Sequence, residues 1–191
     1  EGYTFKVAAR AIDGFAGPVT VSILSSTGAV LAQGNISRPS DHWKYDTLDL
    51  TPTGSDVAAK LRISGAGKGA LFLDMVSFMP KSTWKNHGLR IDLAESISAL
   101  HPAFMRFPGG CWVEGDDLAH MNHWKETIGD IDTRKPLWNI WGYYATHGLG
   151  FYEYLQLCED LGATPLFDIN VGMSHRETVP MDKMGQWVQD A

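Results

Sequence analysis

Cysteine is scarce in this sequence, with two residues, Cys111 and Cys158, in 191. One falls on a turn and the other in a helical pattern, so they make neither a disulfide framework nor a paired metal site. No apolar run approaches the roughly 20 residues that a membrane-spanning helix needs. Positive charge is also short: 16 Lys and Arg stand against 22 Asp and Glu, a net charge of −6. That balance argues against nucleic acid and anionic membranes as partners. His120, His123 and His147 lack the helical His-x-x-x-His spacing of a metal site. The chain opens on Glu1-Gly2-Tyr3 without an initiator Met, and residues 184–191 stop inside a helix-like pattern. The expectation is an internal piece of a longer protein, whose destination a missing targeting signal says nothing about.

What the sequence does have is aromatic side chains: seven Trp, six Tyr and eight Phe. They suit a packed core and equally suit stacking on sugar rings. Composition does not choose between the two.

The first part reads as all-β. Phe5, Val7 and Ala9 alternate with polar neighbours, as do Val19, Val21 and Ile23, and this period of two marks strands with one buried face. Ser25-Ser26-Thr27-Gly28 is a turn, and Val30 to Ile36 a return strand. Trp43 and Tyr45, Leu61 and Ile63, then Leu71 and Leu73 continue the series; Trp43 and Tyr45 suit a sugar platform, but as alternating strand aromatics they are expected in the core. The pattern predicts an antiparallel β-sandwich of jelly-roll type over 1–80.

Pro80 closes that regime, and Lys81 to Gly88 reads as a polar linker. Beyond it Leu89, Leu93, Ile97 and Leu100 fall on one helical face, up to Pro102. Ala103 to Phe107 is a short apolar strand. A second helix spans about Phe151 to Leu161, with Leu155 and Cys158 inward and Gly162 as its stop. Thr164 to Val171 reads as another buried strand, and Pro180 opens a last helix. This rhythm predicts a parallel α/β segment over 81–191, part of a (β/α)8 TIM barrel that two strands cannot close.

The densest stretch is Phe104 to Gly115. Apolar residues lead into Arg106, Pro108-Gly109-Gly110 forces a turn, and Cys111, Trp112 and Glu114 follow at once. A buried strand that stops abruptly and hands its next side chains to a loop has the anatomy of a barrel strand opening on an active-site rim. Arg106 suits an ion pair at that rim or the steadying of a carboxylate. Cys111 follows two glycines that would let a ligand approach the backbone. Trp141, with Tyr143 and Tyr144 behind it, suits a hydrophobic wedge or a sugar wall. Glu114, Asp116 and Asp117 read as solvated loop carboxylates. Asn170 is a further rim candidate at the end of its strand.

The runs RFPGGC (106–111), WKETIG (124–129) and GLGFYEYLQLCEDLGA (148–163), in this order, resemble the α-L-arabinofuranosidases of glycoside hydrolase family 51. The resemblance implies a retaining, exo-acting parent enzyme that removes terminal α-L-arabinofuranosyl residues from arabinan, arabinoxylan or arabino-oligosaccharides. It also implies that residues 1–80 are a carbohydrate-binding-like sandwich inserted after the first barrel strand and followed by a truncated part of the catalytic barrel, and that neither cofactor nor metal is needed. Arg106, Cys111 and Trp141 would be substrate-binding, Cys111 touching sugar hydroxyls and Trp141 walling the sugar. Retaining hydrolysis needs two carboxyl groups about 5 Å apart, and the family's acid/base glutamate sits in an Asn-Glu dipeptide. No Asn-Glu occurs in this sequence, so no catalytic residue is expected in it and the isolated chain should be inactive. The alternatives are a carbohydrate-binding module without catalysis and a purely structural buttress. Expected partners are arabinose-containing polysaccharides or oligosaccharides. Homo-oligomerisation of the parent stays open, as does location, with the periplasm or the extracellular space favoured.

Overall fold

The computed structural model describes residues 1–191, which divide into two compact units, Glu1–Gly88 and Leu89–Ala191. No helix is long and apolar enough to cross a membrane.

The first unit holds six strands, β1 (Tyr3–Ile12), β2 (Val19–Leu24), β3 (Val30–Ile36), β4 (Lys44–Leu50), β5 (Lys60–Gly65) and β6 (Ala70–Pro80). They form two antiparallel three-stranded sheets, ordered β4-β1-β6 and β3-β2-β5. The central strands carry the strictest alternation: Phe5, Val7, Ala9 and Ala11 of β1 and Val19, Val21 and Ile23 of β2 share one buried core. Phe5, Val7, Val19 and Val21 are fully buried, each worth about 1.5–3 kcal/mol over an exposed position. The two sheets thus face each other across a single apolar layer.

Trp43 and Tyr45 depart from expectation. They are 50% and 38% exposed, because Tyr45 pairs with Ala8, on the β1 face opposite Val7 and Ala9. Alternation is visible in a sequence, but which of two aromatic-bearing faces meets the other sheet is a matter of register. The stretch read as a linker is an ordered turn within the first unit. Asn86 and His87 N–H groups donate to the Thr83 and Trp84 carbonyls at 3.0 Å each, and the Gly88 N–H donates to the Thr83 hydroxyl.

The second unit contains α1 (Ile91–Ser98), β7 (Phe104–Phe107), α2 (Gly110–Glu114), a minimal hairpin of β8 (Leu137–Trp138) and β9 (Tyr144–Ala145), α3 (Phe151–Leu161), β10 (Thr164–Phe167) and α4 (Gly185–Asp190). Strands β7 and β10 pair in parallel, Thr164 with Phe104 through Phe167 with Phe107. β10 stops at Phe167, short of the expected Val171, and the terminal helix begins as a 3₁₀ turn at Met181–Lys183. On α1 the buried residue is Ala94, whereas Leu93 and Leu100 are exposed. Of the expected apolar face, Leu89 and Ile97 are half-buried, so only part of it packs within this chain.

Aromatic packing ties α3 to the parallel pair. Phe107 stacks on Tyr154 with ring centroids 4.4 Å apart, and Phe167 meets Phe107 and Phe151 edge-on. Trp124 tilts over Phe151 at 4.9 Å. Inside α3 the buried residues are Leu157 and Cys158; Leu155, read as inward, is only half-buried. Gly162 ends the helix in the left-handed region (φ 68°), its N–H donating to the Cys158 and Glu159 carbonyls, a position that suits glycine.

Candidate functional site at the carboxyl ends of the parallel strands

The parallel register puts Arg106 opposite Leu166, and the Asp168 N–H extends the pairing by donating to the Phe107 carbonyl at 2.7 Å. Arg106 and Asp168 therefore emerge side by side where both strands end. Arg106 Nη2 lies 2.7 Å from Asp168 Oδ2, at ion-pair distance but without the angle of a good hydrogen bond. Gly109 packs against this pair with φ 77°. A Cβ there would come within 2.9 Å of Arg106 Nη1 and 3.3 Å of Asp168 Oδ2, so the turn after β7 needs glycine both for its backbone and for its space.

Beside the ion pair is a cavity of about 310 Å3, lined by Arg106, Gly110, Glu114 and Asp168 together with residues of the 169–173 loop. The Arg106 side chain is 56% exposed. The loop is held by Asn170, whose side-chain N–H groups donate to the Val113 and Met173 carbonyls while its oxygen accepts from the Gly172 and Met173 N–H groups. Asn170, a rim candidate from the sequence, does border the cavity, and its polar atoms staple the loop to itself and to α2.

Cys111 is exposed and sits on α2 one turn before Glu114, whose carboxylate is 3.1 Å from His175 Nε2. Trp141 occupies the tip of the β8–β9 hairpin, where its N–H donates to the Asn139 side chain. Its ring is 56% exposed and stacks on Trp112 at 6.3 Å and 17°. Of the three residues expected to bind substrate, Arg106 lines the cavity and Cys111 stands next to its Glu114 wall. Trp141 does not line it and connects through Trp112, the neighbour of Cys111.

The acidic residues of this region do not pair with one another. Glu114 faces His175 and Asp116 faces Arg176 at 2.9 Å. Asp117 accepts from the backbone and ring of His120, bonds that hold its carboxyl below the usual range. Each of these three carboxylates is thus already held by a histidine, an arginine or a backbone N–H.

Behind it lies a polar joint that no sequence motif announced. Arg134, nearly fully buried, grips Glu153 through two N–H···O bonds of 2.8 and 2.9 Å and also donates to the Gly129 and His147 carbonyls. Glu153 in turn accepts from the Gly150 N–H at the start of α3. Burial alone would raise the Glu153 carboxyl, but the Arg134 and Gly150 bonds outweigh it and hold it low. Thr127 locks the same corner, donating to the Trp124 carbonyl and accepting from the Phe151 N–H. The WKETIG and GLGFYEY runs are thus interlocking structural parts. His147, buried edge-on to Trp112, is pushed below its usual range chiefly by burial.

A larger cleft of about 450 Å3 opens in the first unit beside Tyr3, Phe78 and residues 52–57. Its Asp56 is already committed to Ser26 and the Ala58 N–H, which leaves it little to offer a ligand.

The paired parallel strands β7 and β10 with α3 packed on them make a parallel α/β segment, with polar groups gathered where the strands end. Residues 96–191 match the family model described as "Alpha-L-arabinofuranosidase 1 domain". The chain is 42% identical over 178 residues, 91% of its length, to alpha-L-arabinofuranosidase 2 of Arabidopsis thaliana, covering 26% of that protein. It is 38% identical over 177 residues, 86% of its length, to an extracellular exo-alpha-L-arabinofuranosidase of Streptomyces chartreusis, covering 21% of it. An arabinose-bound GH51 α-L-arabinofuranosidase structure superimposes with a TM-score of 0.91 at 32% identity, over 99% of this chain and 32% of that one. The chain belongs to the α-L-arabinofuranosidases of glycoside hydrolase family 51. It spans about a quarter of the length of the curated relatives it matches.

Proposed function

We propose that this chain is the part of a retaining, exo-acting α-L-arabinofuranosidase that forms one wall of its sugar subsite. The parent would remove terminal α-L-arabinofuranosyl residues from arabinan, arabinoxylan or arabino-oligosaccharides. In this reading residues 81–191 are part of a (β/α)8 barrel, and residues 1–80 are a carbohydrate-binding-like jelly roll that precedes them in the chain. The observation that carries the reading is the Arg106–Asp168 pair at the ends of adjacent parallel strands, 2.7 Å apart and bordering a polar cavity. Barrel enzymes build their active sites at that end of the sheet. The names of the matched relatives support the substrate class.

Within such a site Arg106 would meet sugar hydroxyls or a catalytic carboxylate, Cys111 would supply shape at the turn, and Trp141 would wall the sugar on the Trp112 side. The two carboxyl groups of the retaining mechanism, about 5 Å apart, would come from other segments of the parent, since no Asn-Glu occurs here. The test is hydrolysis of 4-nitrophenyl α-L-arabinofuranoside by the parent and by residues 1–191. Turnover by the parent alone is expected. Turnover by the chain alone would overturn the account of the carboxylates, and an inactive parent would overturn the enzyme reading.

One observation favours polysaccharide binding by the first unit as a second activity. Trp43, Tyr45 and Phe72 are all exposed, and Tyr45 and Phe72 lie opposite Ala8 and Arg10 on the outer face of the β4-β1-β6 sheet. Aromatic side chains on an exposed sheet face suit stacking on a sugar chain. Retardation in arabinoxylan-containing gels, lost in Trp43→Ala and Tyr45→Ala, would support it; unretarded migration of the chain would leave the sandwich as a buttress.

A further inference from the structure

Three metal-ligating side chains converge beside the cavity without any motif in the sequence to announce them. Cys111 Sγ, a carboxylate oxygen of Glu114 and a ring nitrogen of His175 all lie within 4.8 Å of one another. Cys111 and Glu114 stand three apart on α2, a spacing that brings both side chains to one helix face. His175 comes from the loop after β10, and backbone bonds hold it there. Its N–H donates to the carbonyl of Gly115, the residue just after α2, at 3.1 Å. Ser174 closes the turn that carries it, its hydroxyl accepting the N–H groups of Arg176 and Glu177. Asn170 binds the same loop to Val113 of α2. The ligand-bearing segments are thus fixed to each other through Gly115, Val113 and Asn170, which keeps the three donors together.

We propose that Cys111, Glu114 and His175 form a three-ligand site for a borderline-soft divalent ion of the zinc class. Thiolate, imidazole and carboxylate are the donors such an ion takes, at about 2.3, 2.0–2.1 and 2.0–2.2 Å, usually in tetrahedral geometry. Those lengths place neighbouring donors about 3.4 Å apart, so the three donors would draw in from their present spread of up to 4.8 Å. The Glu114 and His175 side chains are 34% and 35% exposed and Cys111 is exposed, which provides an entry path. On binding, the thiol releases its proton to solvent and the imidazole binds in its neutral form. Three protein ligands leave the fourth position open. Glu114 also lines the Arg106 cavity, so an ion held there competes with a sugar in that cavity; this consequence rests on the sugar-subsite reading above, whereas the metal site itself does not.

Cobalt(II) is the probe, because a cobalt–thiolate bond gives a near-ultraviolet charge-transfer band that reports the sulfur ligand whether or not the protein turns over substrate. Titration of the metal-free chain and of its parent should saturate this band at one equivalent, and zinc should bleach it. Cys158, buried, would not contribute. Cys111→Ser should abolish the band, and His175→Gln and Glu114→Gln should each weaken binding at least about tenfold, with circular dichroism confirming the fold. Absence of the band, or equal affinity in His175→Gln and Glu114→Gln variants that retain their fold, overturns the proposal. In the parent, added arabinose should raise the apparent cobalt dissociation constant. One-equivalent, variant-sensitive binding that arabinose leaves unchanged would uphold the metal site and count against the sugar subsite.

Discussion

Arg106 Nη2 and Asp168 Oδ2 are 2.7 Å apart although their residues are distant in the chain. The parallel pairing of β7 with β10 brings them together by setting Arg106 opposite Leu166 and Asp168 just beyond Phe167. With the Arg106 side chain 56% exposed, the pair does little for stability. Such ion pairs contribute about 0–1 kcal/mol, so orientation of the guanidinium is its main effect.

Asp168→Asn should accordingly lower stability by less than about 1 kcal/mol in urea unfolding. In the parent enzyme it should reduce kcat/KM on a small arabinoside by about twofold to fivefold, the worth of an exposed ion pair that orients the guanidinium. An unfolding midpoint that falls sharply would recast the pair as a structural clamp.

Gly109→Ala should cost about 1–3 kcal/mol, because it combines a left-handed backbone with collision against Arg106 and Asp168. Gly110→Ala is the control: its φ is 47°, but nothing lies within 4 Å of the added carbon. Thermal unfolding should rank Gly109→Ala clearly below Gly110→Ala. Equal losses would show that the ion pair gives way freely.

Glu153→Ala leaves the Arg134 guanidinium buried without its carboxylate partner, and should cost about 3–5 kcal/mol. The pH dependence follows from the lowered carboxyl of Glu153. A carboxyl held below its unfolded value, about 4.3, adds stability above that pH and loses it as pH falls through the lower folded value. Urea midpoints of the wild type and Glu153→Gln should therefore converge in acid. A constant difference from pH 7 to pH 3 would contradict the linkage.

His147 acts in a higher window. Its Nδ1 donates to the Lys135 carbonyl at 3.1 Å, while Nε2 is buried without a protein partner, and burial holds the ring below 6.5. As pH falls through about 6.5 the unfolded histidine takes up a proton that the folded one resists, so stability declines. His147→Asn should flatten the melting temperature between pH 7 and pH 5.5. An unchanged slope would place the proton uptake elsewhere.

Trp141→Ala removes an exposed ring that stacks on Trp112, a contact worth about 0.5–1.5 kcal/mol. Stability should fall by no more than that, whereas KM for small arabinosides in the parent should rise about threefold to tenfold. A large loss of stability with KM unchanged would make Trp141 a wedge instead of a sugar wall.

Local periodicity determined much of this molecule. Alternation over Phe5–Ala9 and Val19–Ile23 marks strands because a pleated strand must show its two faces in turn, and Gly162 ends α3 because a helix stop favours a left-handed residue. The order of RFPGGC, WKETIG and GLGFYEY pointed to the family for the same reason, since each run is local. Tertiary structure alone decided which partners those residues meet. Trp43 and Tyr45 turned outward because register selects the face of β4, and Arg134 found Glu153 only after the 124–134 stretch folded onto α3. Likewise His175 reached Cys111 and Glu114 through a loop anchored on Gly115. Spacing in a sequence records neighbours along a strand or helix, whereas a site assembled from a strand end, a short helix and a returning loop exists only once the backbone bonds between them have formed.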